Sequence, residues 1–166
     1  CFVCKKPIIR TDDRHCNSCF GDDIEEYVHV VHEKIDPTYP VIFGLDPHPR
    51  KPHAMAWVQI DPNDDLHVVL EREAALGPTD LAQLVSDLEE ERGWHSIRRL
   101  IDPNMGRSPS GTDRETTWQD AFDAAGLACD LADDSDVGRA QLNVYLRPDP
   151  DTRRPRALGR AHRADP

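Results

Sequence analysis

The sequence predicts an α/β fold: a mixed five-stranded sheet with helices flanking its faces, behind a small cysteine-rich N-terminal module. Three observations carry this. Two runs, Val41 to Leu45 and Ile97 to Ile101, each end in Asp-Pro, at Asp46-Pro47 and Asp102-Pro103. The first run is continuously apolar, as in a strand covered on both faces. The stretch from residue 41 onward reads strand, strand, strand, helix, strand, helix, strand, helix, and tight hairpins followed by alternating helices and strands give a mixed sheet. Finally, two Cys-x2-Cys pairs, Cys1/Cys4 and Cys16/Cys19, precede all of it.

At 166 residues the chain is the size of one domain with a small appendage, and 38% hydrophobic content suffices for one core. No apolar run approaches the roughly 18 residues needed to cross a bilayer, and no signal peptide is visible. A first residue of Cys rather than Met marks the chain as an expected fragment. The net charge of −11 argues against nonspecific polyanion binding, which draws on Lys and Arg. It leaves room for clustered acids that hold metal ions.

Taken in order, residues 1–21 form the first module. Four thiolates in two knuckles suit one tetrahedral, structural Zn²⁺; a pair of disulfides is the alternative in an oxidising compartment. His15 is a fallback ligand. Cys129, far along the chain, reads as a small buried residue. Residues 22–40 are a charged connector whose alternating Tyr27, Val28, Val30 and Val31 favour an extended segment. His29 and His32 there read as surface residues.

The sheet domain is expected over residues 41–156. After the Val41 strand, Pro47 to His53 is dense in proline and basic groups. Alternation from His53 to Ile60, a turn at Asp61 to Asp65 and a strand over Leu66 to Leu70 complete a meander. Thr79 is the expected N-cap of a helix carrying Leu81, Leu84, Val85 and Leu88, stopped by Gly93. Glu89, Glu90 and Glu91 read as its solvated face. The Ile97 strand follows, then a polar loop over Asn104 to Gly111 that lacks the Gly-Lys-Ser/Thr ending of a phosphate-binding loop. Trp118, Phe122 and Ala125 mark a second helix, Leu127 to Leu131 a fifth strand, and Val137, Leu142, Tyr145 and Leu146 a third helix. Asp133, Asp134 and Asp136 precede or open that helix, where acids complement the dipole. Residues 157–166 are expected to be an irregular tail, truncated or frame-shifted.

In this order the first and fourth strands are neighbours, a ribonuclease H-like arrangement, so Asp46 and Asp102 converge at one sheet edge. Converging carboxylates repel unless a cation lies between them, and hard oxygen ligands suit Mg²⁺ or Mn²⁺. The alternative is that both are Asp-Pro turn residues. His48, Arg50, Lys51 and Arg107 are candidates for phosphate contacts beside the acids; each reads equally as solvated loop charge.

Phe43-Gly44-Leu45-Asp46-Pro47, Ala54-Met55-Ala56-Trp57, Leu100-Ile101-Asp102-Pro103, Trp118 to Gly126, and Leu131 to Arg139 together resemble, in order, the nuclease domain of tailed-phage terminase large subunits. The resemblance spans about residues 40 to 156. It implies a divalent-metal-dependent endonuclease that cuts concatemeric double-stranded viral DNA during packaging, with two ions held by acids. It maps the first-strand ligand onto Asp46 and the fourth-strand ligand onto Asp102. It also implies, in a full-length protein, an ATPase domain, portal and small terminase subunit as partners, in the cytoplasm of the infected bacterial host and with no membrane. This stretch contains no Walker motif. The family's further acid, from a helix near the end of the domain, has no recognised counterpart; Asp133 or Asp134 could replace it, although helix capping accounts for both. Two rival readings remain: a transposase or junction-resolvase nuclease of the same fold, and a non-catalytic zinc-containing assembly module.

Overall fold

Alternating burial along β2 (Val41–Asp46) sets the plan of the sheet: Val41, Phe43 and Leu45 are buried on one face, and the strand ends at an exposed Asp46. Its antiparallel neighbour β3 (His53–Ile60) aligns Trp57 with Phe43 and Met55 with Leu45. The Phe43 and Trp57 rings pack 5.0 Å apart, and burial of a side chain of that size contributes about 2–3 kcal/mol. The computed structural model describes residues 30–31, 35–111, 115–149 and 155–160. The module expected over residues 1–21, with Cys1, Cys4, His15, Cys16 and Cys19, lies outside the described residues, as do His29 and His32.

β4 (Leu66–Ala74) continues the meander, and β5 (Ser96–Ile101) lies parallel to β2 on its other side, with β6 (Asp130–Leu131) parallel to β5. This is the predicted adjacency of first and fourth core strands. Helix α1 (Pro78–Arg92) starts from Gly77 with proline at its first turn, not from a Thr79 cap. Proline lacks the amide that a cap would satisfy and has a helical φ already set. Gly93, at φ 64°, ends it in the left-handed conformation, its N–H bonded to the Glu89 and Glu90 carbonyls. Leu81, Val85 and Leu88 of α1, with Trp118 and Phe122 of α3 (Trp118–Ala124), cover the Phe43–Trp57 face of the sheet. A Thr117–Asp120 capping box starts α3. Cys129 is buried as expected, and desolvation pushes its thiol up to about 12.

Further expectations need correction. Residues 104–106, read as the start of a loop, belong to a short helix α2 (Pro103–Gly106), because Asp102 caps it and Pro103 opens it. Glu89 is not solvated but 6% exposed. It accepts from the Trp57 indole at 3.2 Å and the Ser96 hydroxyl at 2.7 Å, and pairs with Arg99 at 2.6 Å. The five expected strands, β2 to β6, are all present, and two short strands, β7 (Ala157–Arg160) and β1 (Val30–Val31), extend the sheet at one edge to seven, in the order β1-β7-β4-β3-β2-β5-β6. β7, within the tail expected to be irregular, pairs with the open edge of β4, and β1 pairs with β7. An open strand edge presents unpaired backbone groups. Leu158 is buried beside it, and Arg156 reaches back to Asp64 at 2.9 Å and Asp65 at 3.2 Å.

The third predicted helix, α4 (Asp136–Leu146), is capped by the Ser135 hydroxyl on the Gly138 amide. It buries none of its residues: Val137, Leu142 and Leu146 are exposed. Tyr145 is its anchor, donating to Asp64 at 2.7 Å beneath the Arg156 guanidinium.

Candidate metal centre and its flanking loops

Because β2, β5 and β6 run parallel, their carboxyl ends lie together. Leu45 is in register with Ile101, so Asp46 and Asp102 are the next residues out on neighbouring strands, about 4.8 Å apart in such a sheet. The Asp102 amide donates to the Leu45 carbonyl at 2.9 Å, extending the ladder to the carboxylates themselves. Asp102 is half-buried. Its Oδ1 accepts from the Asn104 and Met105 amides at 3.0 and 2.7 Å, capping α2. Its Oδ2 is left over from the cap.

The acids rim a cleft of about 620 Å³ on the sheet face opposite α1 and α3. Its floor is low because the residues there are small. Gly44, Ala56 and Glu71 align across β2, β3 and β4, and Asp46, Ala54 and Glu73 form the next row. Glu71 and Glu73 thus add two carboxylates to the cleft wall, with Arg72 beside them. Neither Glu was identified in the sequence, since the expected strand stopped at Leu70. Its extension by two-residue alternation to Glu73 was the available signal.

Asp133 and Asp134 follow β6 at the same sheet end, held by the Ala132 amide on the Ile101 carbonyl. Asp134 is engaged through both oxygens, by Arg139 and by Asn104 Nδ2 at 3.2 Å, and these hydrogen bonds, Arg139's first, hold its carboxyl below the usual range. Asp133 Oδ1 accepts from the Ser135 amide, leaving Oδ2. Among the described residues, no three His, Cys, Asp or Glu side chains gather as an ion-holding group. As placed, neither acid forms a triad with Asp46 and Asp102.

The basic candidates flank the acids. Arg50 and Lys51 are exposed in the loop that leaves Asp46, and Arg107 is exposed at the end of α2, which leaves Asp102. His48 is different from its prediction as a simple contact residue. Its Nδ1 accepts from the Arg50 and Lys51 amides at 3.1 and 3.0 Å, so the ring organises the loop and Nε2 is the nitrogen not used in it. Chemically, the site offers adjacent hard oxygen donors, a shallow cleft and cations on the two loops that leave the acids.

No helix among the described residues is long and apolar enough to cross a membrane. No protein-family model matches the sequence, and no curated protein matches it. Among solved structures, the chain is similar to the P22 large terminase nuclease domain, with a TM-score of 0.52 and 12% identity over 83% of this chain and 70% of that one. At that identity the likeness is one of fold, and the fold is the ribonuclease H-like one that the strand order predicted.

Proposed function

We propose that the domain is a divalent-metal-dependent DNA endonuclease of the terminase type, with Asp46 and Asp102 as its metal ligands. The adjacency of these two carboxylates at the ends of parallel strands, in a fold shared with a terminase nuclease domain, supports the reading. Mg²⁺ keeps several waters and is held by one or two carboxylates together with substrate phosphate. Asp46 and the free oxygen of Asp102 fit that donor set, and Mn²⁺ takes the same hard ligands. A divalent ion held there supplies Lewis-acid neutralisation of phosphodiester charge and activation of water. In a two-ion scheme, Asp46 and Asp102 would be the two strand-end residues that hold the metal. That scheme needs a further carboxylate closer to this pair than Glu71 and Glu73 on the cleft wall, and of Asp133 and Asp134 only Asp133 has an oxygen without a hydrogen-bond partner among the described residues.

The chain's own contribution is positional. The β2–β5 ladder fixes the two acids, and Arg50, Lys51 and Arg107 bind phosphates of duplex DNA, with His48 Nε2 as a donor. Cys1, Cys4, Cys16 and Cys19 hold one structural Zn²⁺. In a full-length packaging protein the domain would act with an ATPase domain, portal and small subunit on concatemeric DNA in the infected bacterium.

The test is Mn²⁺-dependent nicking of supercoiled plasmid, with Asp46→Asn in parallel. Loss of a direct ligand lowers nicking by about a hundredfold or more, given that second-shell changes alone cost 10- to 100-fold. Equal nicking by both proteins would move the chemistry elsewhere. No nicking by either would favour the zinc-containing assembly module.

A further inference from the structure

The loop leaving Asp46 is built on a buried imidazole for which the proposed chemistry has no use. His53, the first residue of β3, is 4% exposed. Its ring lies edge-on to Trp118 and Phe122 of α3, with centroids 5.0 and 5.9 Å away. Nδ1 accepts from the His48 amide at 3.0 Å, and Nε2 lies 3.1 Å from the Leu76 carbonyl. A carbonyl only accepts and an amide only donates, so the contacts fix one form of the ring: neutral, with its proton on Nε2. Burial, the largest effect, favours that neutral form, and His48 reinforces it; the Leu76 carbonyl and Asp46 oppose it.

From His53 the order passes outward. With its amide held, His48 turns its own Nδ1 onto the Arg50 and Lys51 amides. Three amide contacts on two rings thereby set the six-residue loop Pro47 to Pro52, whose first residue, Pro47, is itself buried.

We propose that His53 is a positioning residue, whose Nδ1 acceptor holds the Pro47–Pro52 loop in the shape that presents Arg50 and Lys51 to phosphate beside Asp46. This rests on the reading of that sheet end as a DNA site.

Two amides separate the ring's contacts. In His53→Asn the side-chain oxygen takes the place of Nδ1 and keeps an acceptor for the His48 amide. In His53→Gln the side-chain nitrogen takes the place of Nε2, which keeps the donor to Leu76 and loses the acceptor. The measurements are hydrogen exchange at the His48, Arg50 and Lys51 amides, and affinity for a duplex oligonucleotide with Ca²⁺ in place of Mg²⁺. Thermal melting of both variants controls for stability. The expected result is exchange at least about tenfold faster in His53→Gln than in His53→Asn at matched melting temperature, as follows from losing about 1.4 kcal/mol of local protection. Duplex affinity falls in the same order. Equal exchange in the two variants overturns the proposal. Faster exchange in His53→Gln with unchanged duplex affinity overturns the assignment of this loop to DNA, and with it that part of the proposed function.

Discussion

One oxygen of Asp102 is committed to the cap of α2 and the other is not, so two roles can be parted by substitution. Asparagine caps about as well as aspartate, whereas alanine costs about 1 kcal/mol. Asp102→Asn is therefore expected to unfold in urea near the wild-type midpoint and yet to lose Mn²⁺ affinity in a calorimetric titration. Asp102→Ala loses both. Unaltered Mn²⁺ affinity in the asparagine variant would remove Asp102 from the metal site. The sequence posed ligand and Asp-Pro turn residue as alternatives. The cap belongs to the second, and because it occupies one oxygen it does not compete with the first. The sequence also placed Asp46 at the end of an apolar strand and read Cys129, far from the other cysteines, as a small buried residue, and both placements hold. It could not identify His53 as a strut, since a histidine at the edge of a basic loop looks solvated until α3 is packed against it.

Helix α1 shows where reading a helix by residue type falls short. Glu89 is four residues beyond buried Val85 and so continues its stripe, but its charge and its neighbours Glu90 and Glu91 suggest solvent. Inside, it joins three elements through Trp57 of β3 and Ser96 and Arg99 of β5. Removing one partner of a buried pair strands the other; such losses run to 3–5 kcal/mol. The Arg99 side chain keeps a third of its exposure, which places Glu89→Ala at about 3 kcal/mol, the low end. Glu91→Ala, which breaks an exposed pair with Arg92, is expected to cost under about 0.5 kcal/mol. Urea denaturation of the two variants, two positions apart in the same helical turn, checks the contrast. Similar midpoints would mean that Glu89 is solvated after all. β7 was illegible for a different reason. Four residues containing a glycine have no strand signature of their own, and the pairing is made by β4's open edge and by the hold of Asp64 and Asp65 on Arg156.

Across the whole molecule, the order of the elements carried the most information. Strand order follows from connection lengths and right-handed crossovers, so the meeting of Asp46 with Asp102 could be read before any coordinates. The far edge, with β1 and β7, could not be, because it depends on pairing between segments 91 residues apart for β4 with β7 and 129 for β1 with β7. Charge is the other global property, and it sets the last prediction. With a net charge of −11 over the whole chain, the long-range field opposes DNA; Arg50, Lys51 and Arg107 are the cations on the loops flanking the cleft and Arg72 lies in its wall, against Asp46, Asp102, Glu71 and Glu73. Binding is therefore expected to need a divalent ion to offset the acids, and to be local in its salt response. Each neutralised phosphate contributes about −0.9 to the slope of log K against log salt, so three contacts give about −3. With Ca²⁺ present, duplex affinity measured from 50 to 200 mM salt should follow that slope, and Arg50→Ala combined with Lys51→Ala should flatten it to about −1. Omitting Ca²⁺ should weaken binding at every salt concentration. A slope left unchanged by the double substitution would place the DNA on another surface, because Arg50 and Lys51 would then be neutralising no phosphate.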